Sequence, residues 1–104
     1  MPVRAALYAR VAAWDKAPDK QLATLREFAG TRGWAITEFV DDGVSVTDEE
    51  RPALNALLAA ARNGEVDVIV CSALDRLVGR PEDLFALIHE LGSIGVDLEV
   101  LEQT

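Results

Sequence analysis

Apolar positions along the chain fall into two alternating kinds of run. Val3 to Val11 (VRAALYARV) is short and mostly apolar, the pattern of a strand buried on both faces. Leu22, Leu25, Phe28 and Ala29 then recur at helical spacing, with Asp15 placed to cap this helix, Pro18 suited to its first turn, and Gly30 and Gly33 marking its end. Trp34 to Val40 (WAITEFV) alternates and predicts a second strand. The polar, glycine-punctuated stretch from Asp41 to Glu50 (DDGVSVTDEE) predicts a loop. Arg51-Pro52 opens a second helix with Leu54, Leu57, Leu58 and Ala61 on one face, stopping at Asn63-Gly64. Val66 to Cys71 is the most strand-like run of all. Pro81-Glu82-Asp83 begins a third helix, its acidic first turn suited to the positive end of the helix dipole. Leu84, Leu87, Ile88 and Leu91 are its expected buried face, and Gly92 to Gly95 its end. Val96 to Leu101 reads as a fourth strand.

The order β-α-β-α-β-α-β predicts an α/β fold: a doubly wound, mainly parallel sheet of about four strands, order near 2-1-3-4, with helices on both faces. One hundred and four residues suffice for a single domain spanning 1–104. In such sheets ligands meet the protein at the carboxyl ends of strands where the winding reverses. That point lies between the first and third strands. Arg10, which interrupts the apolar pattern near the end of strand one, the loop from Ala12, and the Asp75-Arg76 pair beyond strand three would share one crevice there.

Composition narrows the function. Half the residues are apolar and few are aromatic, so the core should be aliphatic. The apolar runs are too short to cross a membrane and no signal-peptide pattern opens the chain, so the expected location is the cytoplasm. The single cysteine, Cys71, cannot form an internal disulfide and reads as inert core. His89 lacks companions at metal-ligand spacing, and the segment between the first strand and first helix lacks a glycine-rich phosphate loop. A net charge of −8 repels the phosphate backbone, so this domain alone is expected to bind DNA weakly or not at all.

Five segments follow one another at a characteristic spacing: Leu7-Tyr8-Ala9-Arg10-Val11, Gln21-Leu22, Asp42-Gly43-Val44-Ser45, Arg51-Pro52-Ala53-Leu54 and Leu74-Asp75-Arg76-Leu77. In this the chain resembles the catalytic domain of serine recombinases, the resolvase/invertase family, from Val3 to its last residue. The resemblance implies attack of a serine hydroxyl on a DNA phosphodiester without metal or other cofactor. Arginines crowd the extra negative charge of the transition state, their planar forks gripping two oxygens at once. It places Arg10, Gln21, Ser45, Arg51, Asp75 and Arg76 at active-site positions. It also exposes departures. The family nucleophile follows the YARV motif directly, and here that position is Ala12, whose methyl group cannot attack phosphorus. Ala13, Lys16, Val46 and Gly79 stand where the family has threonine, glutamine, glycine and a second arginine, with Arg80 displaced by one residue.

Two functions therefore stand. The chain is a catalytically inactive recombinase-like domain, an interaction or regulatory module of site-specific DNA recombination that pairs as a homodimer or with an active recombinase. The alternative is the catalytic domain of an active serine recombinase with its nucleophile mutated and its C-terminal part removed. Family members continue past the fourth strand into a long dimerisation helix and a DNA-binding region, which a domain ending at Thr104 is expected to lack. Single residues carry double readings too. Arg10 reads either as a retained phosphate contact or as an ion-pair partner of Asp75. Asp75-Arg76 reads as a vestigial clamp or a stiffened turn, Gln21 as an exposed helix residue, and Ser45 as loop polarity. Trp14 reads as a plug over the crevice or an anchor for a partner.

Overall fold

A computed structural model of the chain describes residues 2–11, 18–42, 52–72 and 81–101. Among these residues four strands and three helices alternate: β1 (Arg4–Val11), α1 (Pro18–Thr31), β2 (Ala35–Asp42), α2 (Pro52–Arg62), β3 (Val68–Cys71), α3 (Pro81–Ile94) and β4 (Asp97–Val100). The strands form one sheet in the order β2-β1-β3-β4, and every neighbouring pair is parallel. This is the expected doubly wound order.

Alternation along β1 explains its composition. Ala6 and Tyr8 join Ile69, Cys71, Leu54, Leu57, Ala61, Leu87 and Leu91 in one cluster, which places α2 and α3 over that face. Ala5 and Leu7 join Val68, Val70, Leu25 and Ala29 in a second cluster beneath α1. Ala5 to Ala9 are all buried, as a strand covered on both faces requires. Cys71 is fully buried and is a core residue, as its sequence context indicates.

Helix ends follow the glycines, though not the first of each pair. Gly30 and Gly92 stay within α1 and α3. Gly33 (φ 70) and Gly95 (φ 76) take the left-handed conformation just beyond each helix. Backbone bonds from Trp34 N–H to the Ala29 carbonyl (3.2 Å) and from Val96 N–H to the Leu91 carbonyl (2.9 Å) then close the last turns.

Three expectations need correction. Asp41 and Asp42 belong to β2, not to the following loop, because the ladder with β1 continues to Val11↔Asp42. Ile88 is 46% exposed and Phe85 73% exposed, so the buried face of α3 is narrower than its apolar stripe: Leu87 and Leu91 are buried, Leu84 only half-buried. Strands β3 and β4 are also shorter than their apolar runs, since Val66 and Val96 are buried in the cluster below α2 and α3 but precede the ladder.

Ion pairs link neighbouring elements at the surface. The Arg4 guanidinium, at the start of β1, grips Asp67 with two bonds of 3.1 Å each, and Asp67 also accepts the Arg4 N–H at 2.8 Å. Arg26 on α1 pairs with Glu38 on β2. Arg62 joins α2 to Glu90 on α3 through bonds of 2.8 and 2.9 Å. In each pair the arginine's side-chain hydrogen bond is the main cause holding the Asp67, Glu38 or Glu90 carboxyl below its ordinary pKa.

Leu57 is fully buried between α2 and the sheet, and Leu57→Ala is expected to lower stability by about 2–5 kcal/mol in urea titration. A carboxyl with a depressed folded-state pKa supplies stability above its unfolded-state pKa and loses it as pH falls through the folded-state value. Arg62→Gln should therefore raise the NMR titration midpoint of Glu90 and remove that pair's share of the stability lost on acidification. An unmoved midpoint would show that the pair is not formed in solution.

Candidate active-site crevice

The carboxyl edge of the sheet carries two buried charged residues, Arg10 and Asp41. Arg10 stands near the end of β1 and is only 8% exposed. It follows Ala6 and Tyr8 in the two-residue alternation, so its side chain leaves the sheet on the face that α2 and α3 cover. In the parallel ladder its Cα partner is Asp41 of β2, itself 2% exposed. This edge thus sets a buried arginine and a buried aspartate on adjacent strands of one face.

Asp41 makes the most specific contacts at this edge. Its Oδ1 accepts the Ala53 N–H at 2.8 Å, and its Oδ2 accepts the Leu54 N–H at 3.0 Å and the Tyr8 hydroxyl at 2.8 Å. The first free N–H groups of α2 belong to Ala53 and Leu54, because Pro52 has none. A carboxylate there satisfies both and faces the positive end of the helix dipole. Burial of its oxygens is offset by the three donors that meet them.

Of the residues expected at the site, Arg10 lies near the carboxyl end of β1. Gln21 lies on α1, as a helix residue should. Ala12, Ser45, Arg51, Asp75 and Arg76 lie outside the described residues, as do Ala13, Trp14, Lys16, Val46, Gly79 and Arg80. His89 is exposed on α3, and among the described residues no three His, Cys, Asp or Glu side chains gather to hold a metal ion. No helix among the described residues is long and apolar enough to cross a membrane.

Sequence reasoning missed Tyr8 and Asp41 as structural partners. Tyr8 passed as part of an apolar strand motif, and Asp41 as the first residue of a polar loop. A signal was present: Pro52 opens a helix behind Arg51, a side chain with no acceptor to offer as a cap, so the cap had to come from elsewhere.

Comparison with known proteins fits this geometry. The family model described as resolvase, N terminal domain, matches residues 5–104. The transposon Tn501 resolvase of Pseudomonas aeruginosa is 32% identical over 96 residues, covering 92% of this chain and 46% of that protein. The transposon Tn21 resolvase of Escherichia coli is 31% identical with the same coverage. The chain spans about half the length of these curated relatives. Among solved structures, the C-terminal catalytic domain of ISC1926 TnpA, an IS607-like serine recombinase, superposes with a TM-score of 0.85 at 28% identity, over 98% of this chain and 72% of that one. The N-terminal catalytic domain of TP901-1 integrase gives 0.82 at 28% identity, over 94% and 76%.

Removing the phenol hydroxyl deprives a buried carboxylate of one of its donors. Tyr8→Phe is therefore expected to cost about 1–3 kcal/mol of stability, measured by urea unfolding. A loss near zero would show that the hydroxyl does not help to hold Asp41.

Proposed function

The chain belongs to the resolvase N-terminal domain family of serine recombinases, and on that footing we propose that it is a catalytically inactive member, an interaction or regulatory module of site-specific DNA recombination. The observation that carries this reading is Ala12, where the family resemblance puts the nucleophilic serine. Without a hydroxyl no phosphoserine link can form, and orienting arginines do not replace it. The departures at Ala13, Lys16, Val46 and Gly79 support loss of the whole reaction rather than of one atom. Arg10, Gln21, Ser45, Arg51, Asp75 and Arg76 are then the remnant of the family's phosphate-facing set, with Arg10 at the carboxyl end of β1.

Two further observations support an interaction role. The net charge of −8 opposes strong attraction to a duplex by this domain alone. On α3, Phe85 and Ile88 expose apolar surface one helical turn apart, the kind of surface that protein partners cover. A second copy of this domain or an active recombinase is the partner in this reading. The cytoplasm, where such a partner would meet DNA, is the proposed setting.

The test joins a binding and a chemical measurement. Anisotropy of a labelled duplex across a salt series should show no saturable binding to the wild-type chain at physiological ionic strength. Incubation of Ala12→Ser with the same duplex, read by mass spectrometry, should give no phosphoserine–DNA adduct. An adduct would overturn the inactive reading and make the chain an active recombinase domain lacking only its serine. Saturable binding that falls with salt and with Arg76→Ala would instead assign the module a direct hold on DNA phosphate.

A further inference from the structure

We infer that Asp41 is a positioning residue of the crevice: its carboxylate caps α2 from the end of β2 and fixes the helix's first turn beside Arg10, so that the position preceding the helix is released from capping. A helix beginning at Pro52 ordinarily takes its cap from the residue before it, where Ser, Thr, Asp or Asn accepts the N–H two or three residues on. Here that residue is Arg51, which donates and cannot accept. The acceptor is supplied from 12 and 13 residues upstream, at 2.8 Å to the Ala53 N–H and 3.0 Å to the Leu54 N–H.

The same carboxylate takes the Tyr8 hydroxyl at 2.8 Å, and Tyr8 precedes Arg10 by two positions on the same face of β1. One buried side chain therefore ties β1, β2 and the start of α2 together at the carboxyl edge. The chain leaves β2 just beyond Asp41 and returns, at Ala53, to the side chain of Asp41 itself. The anion-facing part of this inference rests on the proposed phosphate-facing crevice. The capping part does not.

Amide hydrogen exchange followed by NMR tests the cap directly. In Asp41→Ala the Ala53 and Leu54 amides should exchange about tenfold faster, the scale of a lost cap, while Leu57 and Ala61 further along α2 change much less. Should that variant fail to fold, Asp41→Asn keeps one acceptor oxygen and should accelerate the same two amides by a smaller factor. Unchanged exchange at both amides overturns the inference. Adding Arg51→Ser to the Asp41 variant supplies a local cap and should slow both amides again, a rescue that a mere packing role for Asp41 would not give. Failure of that rescue counts against capping.

Titration with inorganic phosphate, read at the Arg10 resonances, tests the second part. Wild-type binding should weaken several-fold in Asp41→Asn. A gain in affinity, the result of simply removing a negative charge, would sink the positioning role. If the wild-type chain gives no phosphate-dependent shift, the phosphate-facing reading of the crevice fails, and the exchange and rescue results alone decide the cap.

Discussion

Burial of β1 on both faces is the constraint from which the rest of the structure follows. A strand with a neighbour on each side and helices above and below has no solvated face. Its middle must be apolar, and its charged residues must stand at its ends. Ala5 to Ala9 meet the first demand. Arg4, paired with Asp67 at the amino end, and Arg10 at the carboxyl end meet the second. The alanines bring α1 close on one side and α2 on the other, while Leu7 and Tyr8 fill the space that remains.

Tyr8 is the exception that links core to crevice. Its ring packs among Leu54, Leu57 and Ile69, and its hydroxyl reaches Asp41. A buried carboxylate is costly unless its lone pairs are met by donors. Here two helix amides and a phenol meet them. The arrangement explains why β2 continues past its apolar alternation: the ladder must reach Asp41 before the chain turns away, or the start of α2 has no acceptor.

Most of the fold was legible because burial and periodicity agree in the middle of each element. The continuous apolar runs of β1 and β3 and the helical spacing of Leu22, Leu25 and Ala29, or of Leu54, Leu57 and Ala61, each correspond to buried residues. The readings failed where a residue's polarity or apolarity was taken as its address. Asp41 is polar yet buried, because its partners are backbone amides of an element that follows it in sequence. Ile88 is apolar yet exposed, because α3 packs through the narrow seam of Leu87 and Leu91. Of the site, Arg10 and the helical placement of Gln21 were legible, Arg10 because a charge near the end of a buried strand is conspicuous. Its juxtaposition with Asp41 was not, since parallel register is a non-local property that no short window of sequence contains.

The division of labour along this chain separates what can decay from what cannot. The apolar ladder of β1 and the clusters above and below it hold the sheet without calling on a nucleophile. Tyr8 and Asp41 stand on the other side of that line. They lie within the motif segments or beside them, yet their contacts are structural: a phenol packed in the core and a carboxylate seated on a helix terminus. Removing Asp41 takes the acceptor from two helix amides and a phenol, and removing Tyr8 takes one of three donors from a buried carboxylate, a penalty on folding itself. Folding alone therefore favours keeping Tyr8 and Asp41 at this edge, independently of any reaction the domain performs.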